Sequence, residues 1–361
     1  MGGNLFTDLY NVRENMYHGM STSDEVLMLR NQVNHDIETD SAPDKLHYLL
    51  FKMTNRCNSD CKYCPQAISR MKDSDKFDIP LPLVKQTIRE AAGLGATAVA
   101  INGGEPLVRG DVQEVITEIV RNRMVPVLMT NGLLLPQMWE HIGDLGLRYV
   151  IISFDSIIKE IYEDQRGCNF ERAMAGIEAA LKLKEKYQDT EVHVSSVLTR
   201  NNHEDFINLV KFMSEKGIKI HISPLHDYLN IGGKLNKIER KKIEELVENL
   251  LTMKSDGYLI ASASGFIKHL VDFFCEGKLM PDDYQCKVGY TNLFVDALMN
   301  VRPCWDDSMG VVGRLGEQSL NEIWHSEKMQ DCRRRMLKCQ CSGCWYMCTG
   351  EVTMMIDDML D

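Results

Sequence analysis

Three thiols, Cys57, Cys61 and Cys64, stand close together in the stretch "CNSDCKYC" with the spacing C-x3-C-x2-C. Thiolates suit zinc and iron–sulfur centres equally on softness. A closed zinc site takes four ligands, typically as two close pairs, and no fourth partner stands near this trio. The spacing fits better a four-iron cluster with one iron left open to something that is not protein. A second group lies far along the chain. Cys286 and Cys304 form a loose pair, and Cys339, Cys341, Cys344 and Cys348 crowd the end. In a long chain without a secretory signal, clustered thiols point to metal rather than disulfides. Cys168, Cys275 and Cys332 are scattered and read as small buried hydrophobes.

From about residue 46, short β-rich runs alternate with amphipathic helical stretches. The runs HYLLFKM, TAVAING, VPVLMTNG, RYVIISFD, EVHVSSVLT and IKIHISPL are too apolar for one-sided sheets. Six βα units of this kind predict an α/β fold with a parallel sheet covered by helices. Right-handed connections would curl it into a partial (β/α)6 TIM-like barrel, which binds ligands at the carboxyl ends of its strands. Cys57 follows the first run, Gly103 to Pro106 the second, and Thr130 and Asn131 the third. Ser153 and Asp155 follow the fourth, Asn201 and Asn202 the fifth, and His226 the sixth. Residues 1–45 read as an N-terminal helical extension, 46–256 as the barrel and 257–361 as a small C-terminal domain. That domain is expected to hold a β-hairpin (TNLFVDALMNVRPCW) and a helix (SLNEIWHSEKMQDCRRRML). A charged helix is expected over roughly 236–254, and the acidic tail after Cys348 gives no pattern.

Of the 361 residues, 44% are hydrophobic and 26% charged, which fits a globular chain. A net charge of −11 argues against a broad nucleic-acid footprint, so no nucleic-acid partner is expected. No apolar run reaches the roughly 18 residues of a membrane helix, so no membrane partner is expected either. The N-terminus has no basic region followed by an apolar one, and Phe6 stands where a myristoylation motif wants Ser or Thr. The chain reads as cytoplasmic.

The cysteine loop after a first strand, with "GGEP" (Gly103 to Pro106) after the second, resembles the radical S-adenosylmethionine superfamily over roughly residues 48–226. The resemblance implies a 4Fe-4S cluster on Cys57, Cys61 and Cys64 whose open iron binds S-adenosyl-L-methionine. Reductive cleavage of that cosubstrate gives a 5′-deoxyadenosyl radical that abstracts hydrogen from substrate. It also implies an electron donor such as flavodoxin or ferredoxin. Cosubstrate-binding residues carried over are Tyr63 near the adenine, Gly103, Gly104, Glu105 and Pro106, Asn131, and Ser153 with Arg166 at the methionine carboxylate. Paired glycines allow close backbone approach to a ligand. Glu105 can accept a bond from an ammonium, and a forked guanidinium suits a carboxylate. For Tyr63 a core aromatic stays open, and for Arg166 and Asn131 a structural role.

The C-terminal part is similar to the SPASM/twitch extensions of that superfamily, on Cys286, Cys304 after a hairpin, and Cys341-x2-Cys344 followed by Trp345. This implies an auxiliary 4Fe-4S cluster closed by Cys286, Cys304, Cys341 and Cys344. Cys348 alone follows Cys344, so one auxiliary cluster is expected and not two. Met299 stands where family members often have glycine. Cys339 or Cys348 as a replacement ligand stays open, as does zinc in place of iron. The favoured function is a radical S-adenosylmethionine oxidoreductase that oxidises a hydroxyl-bearing small molecule, a sugar or an aminocyclitol, with the auxiliary cluster accepting an electron. The alternative is a maturase of a ribosomally made peptide, forming crosslinks or, with Cys168 or Cys275 as hydrogen donor, epimerised residues. A non-catalytic iron–sulfur protein is a third reading, against which the intact loop and GGEP argue. No general base is assigned. Asp306 and Asp307 stand beside Cys304, where exposed loop carboxylates are the plain alternative.

Overall fold

The computed structural model describes residues 24–64, 77–226, 237–305 and 307–357. The first half of the expected N-terminal extension, residues 1–23, and Asp306 lie outside the described residues. A leading helix α1 (Asp24–Glu38) precedes six strands: β1 (Tyr48–Lys52), β2 (Ala98–Asn102), β3 (Val125–Thr130), β4 (Tyr149–Ser153), β5 (Glu191–Leu198) and β6 (Lys219–Pro224). Adjacent strands pair parallel in sequence order. The helices between them are α2 (Leu81–Gly93), α3 (Val112–Arg121), α4 (Leu135–Asp144), α5 (Lys159–Arg166), α6 (Phe170–Lys186) and α7 (Phe206–Glu215).

Both faces of these strands are covered, which is why they read as continuous apolar runs. Val99 and Ile101 of β2 are fully buried, as are Val112, Val115, Ile116 and Ile119, the stripe that α3 lays down. Burying such a side chain stabilises by about 1.5–3 kcal/mol. Asn169 caps α6 by accepting from the Arg172 N–H at 2.9 Å.

After β6 come α8 (Arg240–Ser255), α9 (Ser264–Lys268) and α10 (Leu270–Glu276), then β7 (Asn292–Val295), β8 (Asn300–Arg302) and β9 (Gly313–Arg314). The expected hairpin does not build a sheet of its own. β7 pairs parallel with β1, Tyr48 opposite Asn292, so one nine-stranded sheet runs β6-β5-β4-β3-β2-β1-β7-β8-β9. The hairpin turn is held by Asp296, whose Oδ1 accepts from the Leu298 and Asn300 N–H groups, both at 2.9 Å. Met299 at that turn has φ +69°, the left-handed region glycine adopts at no cost.

The helix expected over 319–337 is two helices, α11 (Leu320–Trp324) and α12 (Glu327–Leu337). Ser326 breaks them by capping α12, accepting from the Met329 N–H at 3.1 Å. Within the tail, a π-helical turn over Met347–Glu351 leads into α13 (Val352–Ile356), which packs against α1. Among the described residues no helix is long and apolar enough to cross a membrane.

Candidate active site

The loop carrying Cys57, Cys61 and Cys64 is gripped from two sides. On one side, Gly104 N–H donates to Thr54 O at 2.9 Å and Glu105 N–H to Arg56 O at 2.8 Å. A Cβ on Gly103 would lie 2.3 Å from Thr54 O, and one on Gly104 the same distance from Arg56 O. The paired glycines therefore serve an approach of backbone to backbone. Both also line the central cavity. On the other side, Lys62 N–H donates to Gln165 O at 3.0 Å, and Gly167, φ +59°, lies so close that a Cβ would meet Asp60 O at 2.4 Å.

Glu105 is fully buried. Its carboxylate accepts from Leu107 N–H (3.0 Å), Thr130 Oγ1–H (2.8 Å) and Asn131 N–H (2.7 Å), which ties the ends of β2 and β3 together. Burial pushes its pKa up to about 7 against those three bonds. Both oxygens are engaged inside the protein, and neither Glu105 nor Pro106 lines the cavity. Asn131 does line it, and its Nδ2 reaches Asn58 Oδ1 at 2.7 Å, Ser59 Oγ at 2.9 Å and Cys57 Sγ at 3.9 Å.

Arg166 forms a fork with buried Asp155, both N–H···O distances being 2.6 Å. Asp155 also accepts from the Tyr63 hydroxyl and from Val197 N–H at 2.8 Å. The guanidinium lies 5.6 Å from the Tyr63 ring centroid. Tyr63 and Arg166 thus belong to one buried polar network, and both still face the cavity. Ser153 faces it as well.

Burial pushes the Cys57 thiol up to about 11 and that of Cys61 to about 12, and the neighbouring Cys64 pushes both the same way. Such thiols hold their protons at neutral pH unless a metal replaces them. Ser59 N–H points at Cys57 Sγ from 3.4 Å, the kind of donor that cluster sulfurs accept. The trio therefore fits an iron–sulfur cluster. A second group of thiols converges from the C-terminal part. Burial raises Cys286, and Cys344, Cys341 and Cys339 add to it; burial likewise raises Cys348, with Cys344 and Cys286 adding to it. Cys304 is buried beside Trp305 at the end of the hairpin.

A cavity of about 690 Å³ opens between these two groups. Cys57, Cys61 and Cys64 face it from the barrel, and Tyr346, Met347 and Cys348 from the C-terminal segment. Lys52, Asp296, Arg302 and Trp305 also face it, and sequence reasoning missed all four as site residues. Lys52 was within reach of a period-2 reading, since it shares the inward face of β1 with Tyr48 and Leu50. Asp307 lines the rim with an exposed side chain paired to Arg302 at 3.1 Å. Neither Cys168 nor Cys275 lines the cavity. His226 ties the two parts together: its Nε2 accepts from Trp345 N–H at 2.7 Å, so its Nδ1 carries the proton toward Pro224 O at 2.9 Å.

Two family models match the chain, the radical SAM superfamily over residues 51–213 and the SPASM iron–sulfur cluster-binding domain over 286–345. The chain thus carries a radical SAM domain followed by a SPASM domain, and with them the binding of S-adenosylmethionine and iron–sulfur clusters. Among curated relatives, GTP 3′,8-cyclase of Clostridium acetobutylicum is 27% identical over 248 residues, 64% of this chain and 75% of that one. A probable GTP 3′,8-cyclase of Aeropyrum pernix is 31% identical over 220 residues, 57% of this chain and 58% of its own. Among solved structures, Streptococcus suis SuiB bound to precursor peptide SuiA shares the fold at TM-score 0.64 and 16% identity, covering 93% of this chain and 76% of that one. The enzyme anSMEcpe with bound AdoMet shares it at TM-score 0.59 and 19% identity, covering 81% of this chain and 83% of that one.

Proposed function

We propose that this protein carries out a net two-electron oxidation of a peptide, begun by hydrogen abstraction. The observation that carries the reading is the cavity faced by Cys57, Cys61 and Cys64 from the barrel and by Cys348 of the second thiol group from the C-terminal segment. A cluster held by Cys57, Cys61 and Cys64, with S-adenosyl-L-methionine bound, would supply the 5′-deoxyadenosyl radical, and an auxiliary cluster would take up the substrate's second electron. Cys286, Cys341 and Cys344, with Cys304 or Cys348, hold that auxiliary cluster. Gly103, Gly104, Ser153 and Arg166 meet the cosubstrate. Tyr63 and Asn131 face it while bracing the cysteine loop, and Glu105 and Pro106 brace the loop from behind.

The charge of the cavity wall separates substrate classes. Lys52, Arg166 and Arg302 face Asp296 and Asp307, and Asp155 backs Arg166. His226 is held neutral, its pKa pushed down to about 4 by burial. Arg166 and Arg302 are each taken up by carboxylates, and Lys52, the one cation of the wall without an ion pair among the described residues, cannot by itself neutralise a triphosphate such as that of the GTP named for the curated relatives. A peptide suits this wall, and solved proteins of the same fold hold peptides. A hydroxyl-bearing small molecule is the second reading, supported by the hydroxyls of Ser153, Ser195 and Ser223 on the barrel wall.

Anaerobic turnover of the reconstituted protein tests this, with short peptides encoded beside its gene and with sugars and aminocyclitols as candidates. The expected product is a peptide lighter by a pair of hydrogen atoms, released with 5′-deoxyadenosine and unlabelled by borodeuteride. A borodeuteride-labelled product would be a ketone and would favour the small molecule. Unchanged mass with deuterium taken up from solvent would overturn the oxidation.

A further inference from the structure

Lys52 ends β1 and points into the cavity. Its Nζ lies 4.8 Å from the centroid of the Trp305 ring. Among the described residues no carboxylate pairs with it, although Cys64, Asp296 and Asp307 act on it from a distance. Those two carboxylates are committed to Arg302, Asp296 at 3.1 Å and Asp307 at 3.1 Å. An ammonium withdrawn from bulk water with an aromatic face as its neighbour pays desolvation without an ion-pair return. Burial accordingly holds its pKa below the ordinary lysine value.

Asn102 is the residue opposite Lys52 in the β1–β2 pairing, and it faces the same cavity. Its Nδ2 donates one N–H to the Met129 thioether at 3.7 Å, a weak acceptor, and its Oδ1 has no hydrogen-bond partner among the described residues. Neighbouring strands thus present a cation without an ion pair and an amide oxygen without a donor among the described residues. The pair matches a group that brings a negative charge and an N–H together.

We infer that Lys52 and Asn102 form a subsite for an acidic residue of the substrate, Lys52 taking the carboxylate and the Asn102 amide oxygen a peptide N–H. This deepens the peptide reading and rests on it. A single carboxylate matches Lys52, the one cation facing the cavity that has no ion pair among the described residues. A phosphate would add charge facing Asp296 and Asp307. Arg302 is already shared between those two and adds no free cation.

Binding tests the subsite without turnover, so its failure is distinguishable from failure of the proposed oxidation. The cluster-loaded protein with S-adenosylmethionine bound is titrated calorimetrically with N-acetylglutamate methylamide, with the neutral N-acetylglutamine methylamide and with inorganic phosphate. Saturable binding of the glutamate probe is expected, weakened about 30-fold or more in Lys52→Met and kept within several-fold in Lys52→Arg. Asn102→Ala should weaken both amide-bearing probes. Circular dichroism and thermal melting establish that each variant is folded. Equal binding to Lys52→Met, equal binding of the neutral probe, loss in folded Lys52→Arg, or phosphate binding tighter than the carboxylate would each overturn the assignment.

Discussion

Replacing Asp155 by Ala tests how the cysteine loop is held. The carboxylate is fully buried and takes four hydrogen bonds: two from Arg166, one from Tyr63 and one from Val197 N–H. Its loss leaves a buried guanidinium unpaired, which costs about 3–5 kcal/mol. The orphaned Val197 N–H and Tyr63 hydroxyl each add about 1–3 kcal/mol. Water entering from the cavity reaches Arg166 and Tyr63, both of which line it, and offsets part of this. The net loss should be about 4–6 kcal/mol, read as a fall in melting temperature of roughly 10 °C. Lys62 N–H bonds to Gln165 O one residue from Arg166, so the loop should loosen with the helix. Reconstituted protein should then lose iron from the Cys57, Cys61 and Cys64 site first, seen as a lower iron content and a weakened charge-transfer absorption. Asp155→Asn keeps the shape but not the charge and should fall between the two. If Asp155→Ala melts within about 2 °C of wild type and binds iron fully, the two-sided grip is wrong.

Gly104→Ala drives a methyl against Arg56 O and must break the Gly104–Thr54 and Glu105–Arg56 backbone bonds, costing roughly 2–4 kcal/mol; a denaturant midpoint equal to wild type would refute this. Glu105, raised to about 7, keeps in the native state a proton that the unfolded chain releases from about pH 4.5. Its contribution is therefore complete below pH 4.5 and is lost as pH rises through 7, on the order of 3 kcal/mol, so denaturant titrations across that range should show a falling slope that Glu105→Gln removes. Replacing Cys57, Cys61 and Cys64 together by Ala should abolish release of 5′-deoxyadenosine, whereas Cys341→Ala with Cys344→Ala should leave some release and block product; normal turnover by the second variant would sink the auxiliary role. Iron and sulfide analysis should give about eight irons per chain, and a value near four with zinc in the remainder would remove the second cluster.

The barrel strands were legible because a parallel sheet covered on both faces writes itself as unbroken apolar runs. All six runs are strands, and the cysteine loop, GGEP, Asn131, Ser153 and the residues after them stand at the carboxyl ends as expected. The place of the hairpin was not legible. A parallel pairing between β1 and β7 joins segments far apart in the chain and leaves no local pattern in either. The break between α11 and α12 was missed because Ser326 is compatible with a helix interior on periodicity alone. Its capping bond appears once the backbone is known.

The glycines of GGEP mark the limit of a motif more clearly. Sequence reasoning assigned their missing Cβ atoms to a ligand, and the structure uses them first against Thr54 and Arg56. Both demands exclude a side chain, so composition cannot separate them. The same holds for Arg166, whose guanidinium suits a cosubstrate carboxylate and is bound to the carboxylate of Asp155. A motif residue can hold the loop that carries the thiols and still present its remaining surface to the cavity. Substitutions there will move stability and activity together, so a loss of turnover at these positions does not by itself identify a contact with the reacting groups. Lys52 and Asn102 are different. Neither has a hydrogen bond that fixes the cysteine loop, and Asn102 is bonded within the sheet through its backbone. Binding and stability should separate at those two positions, with Lys52→Met losing the acidic probe while melting close to wild type.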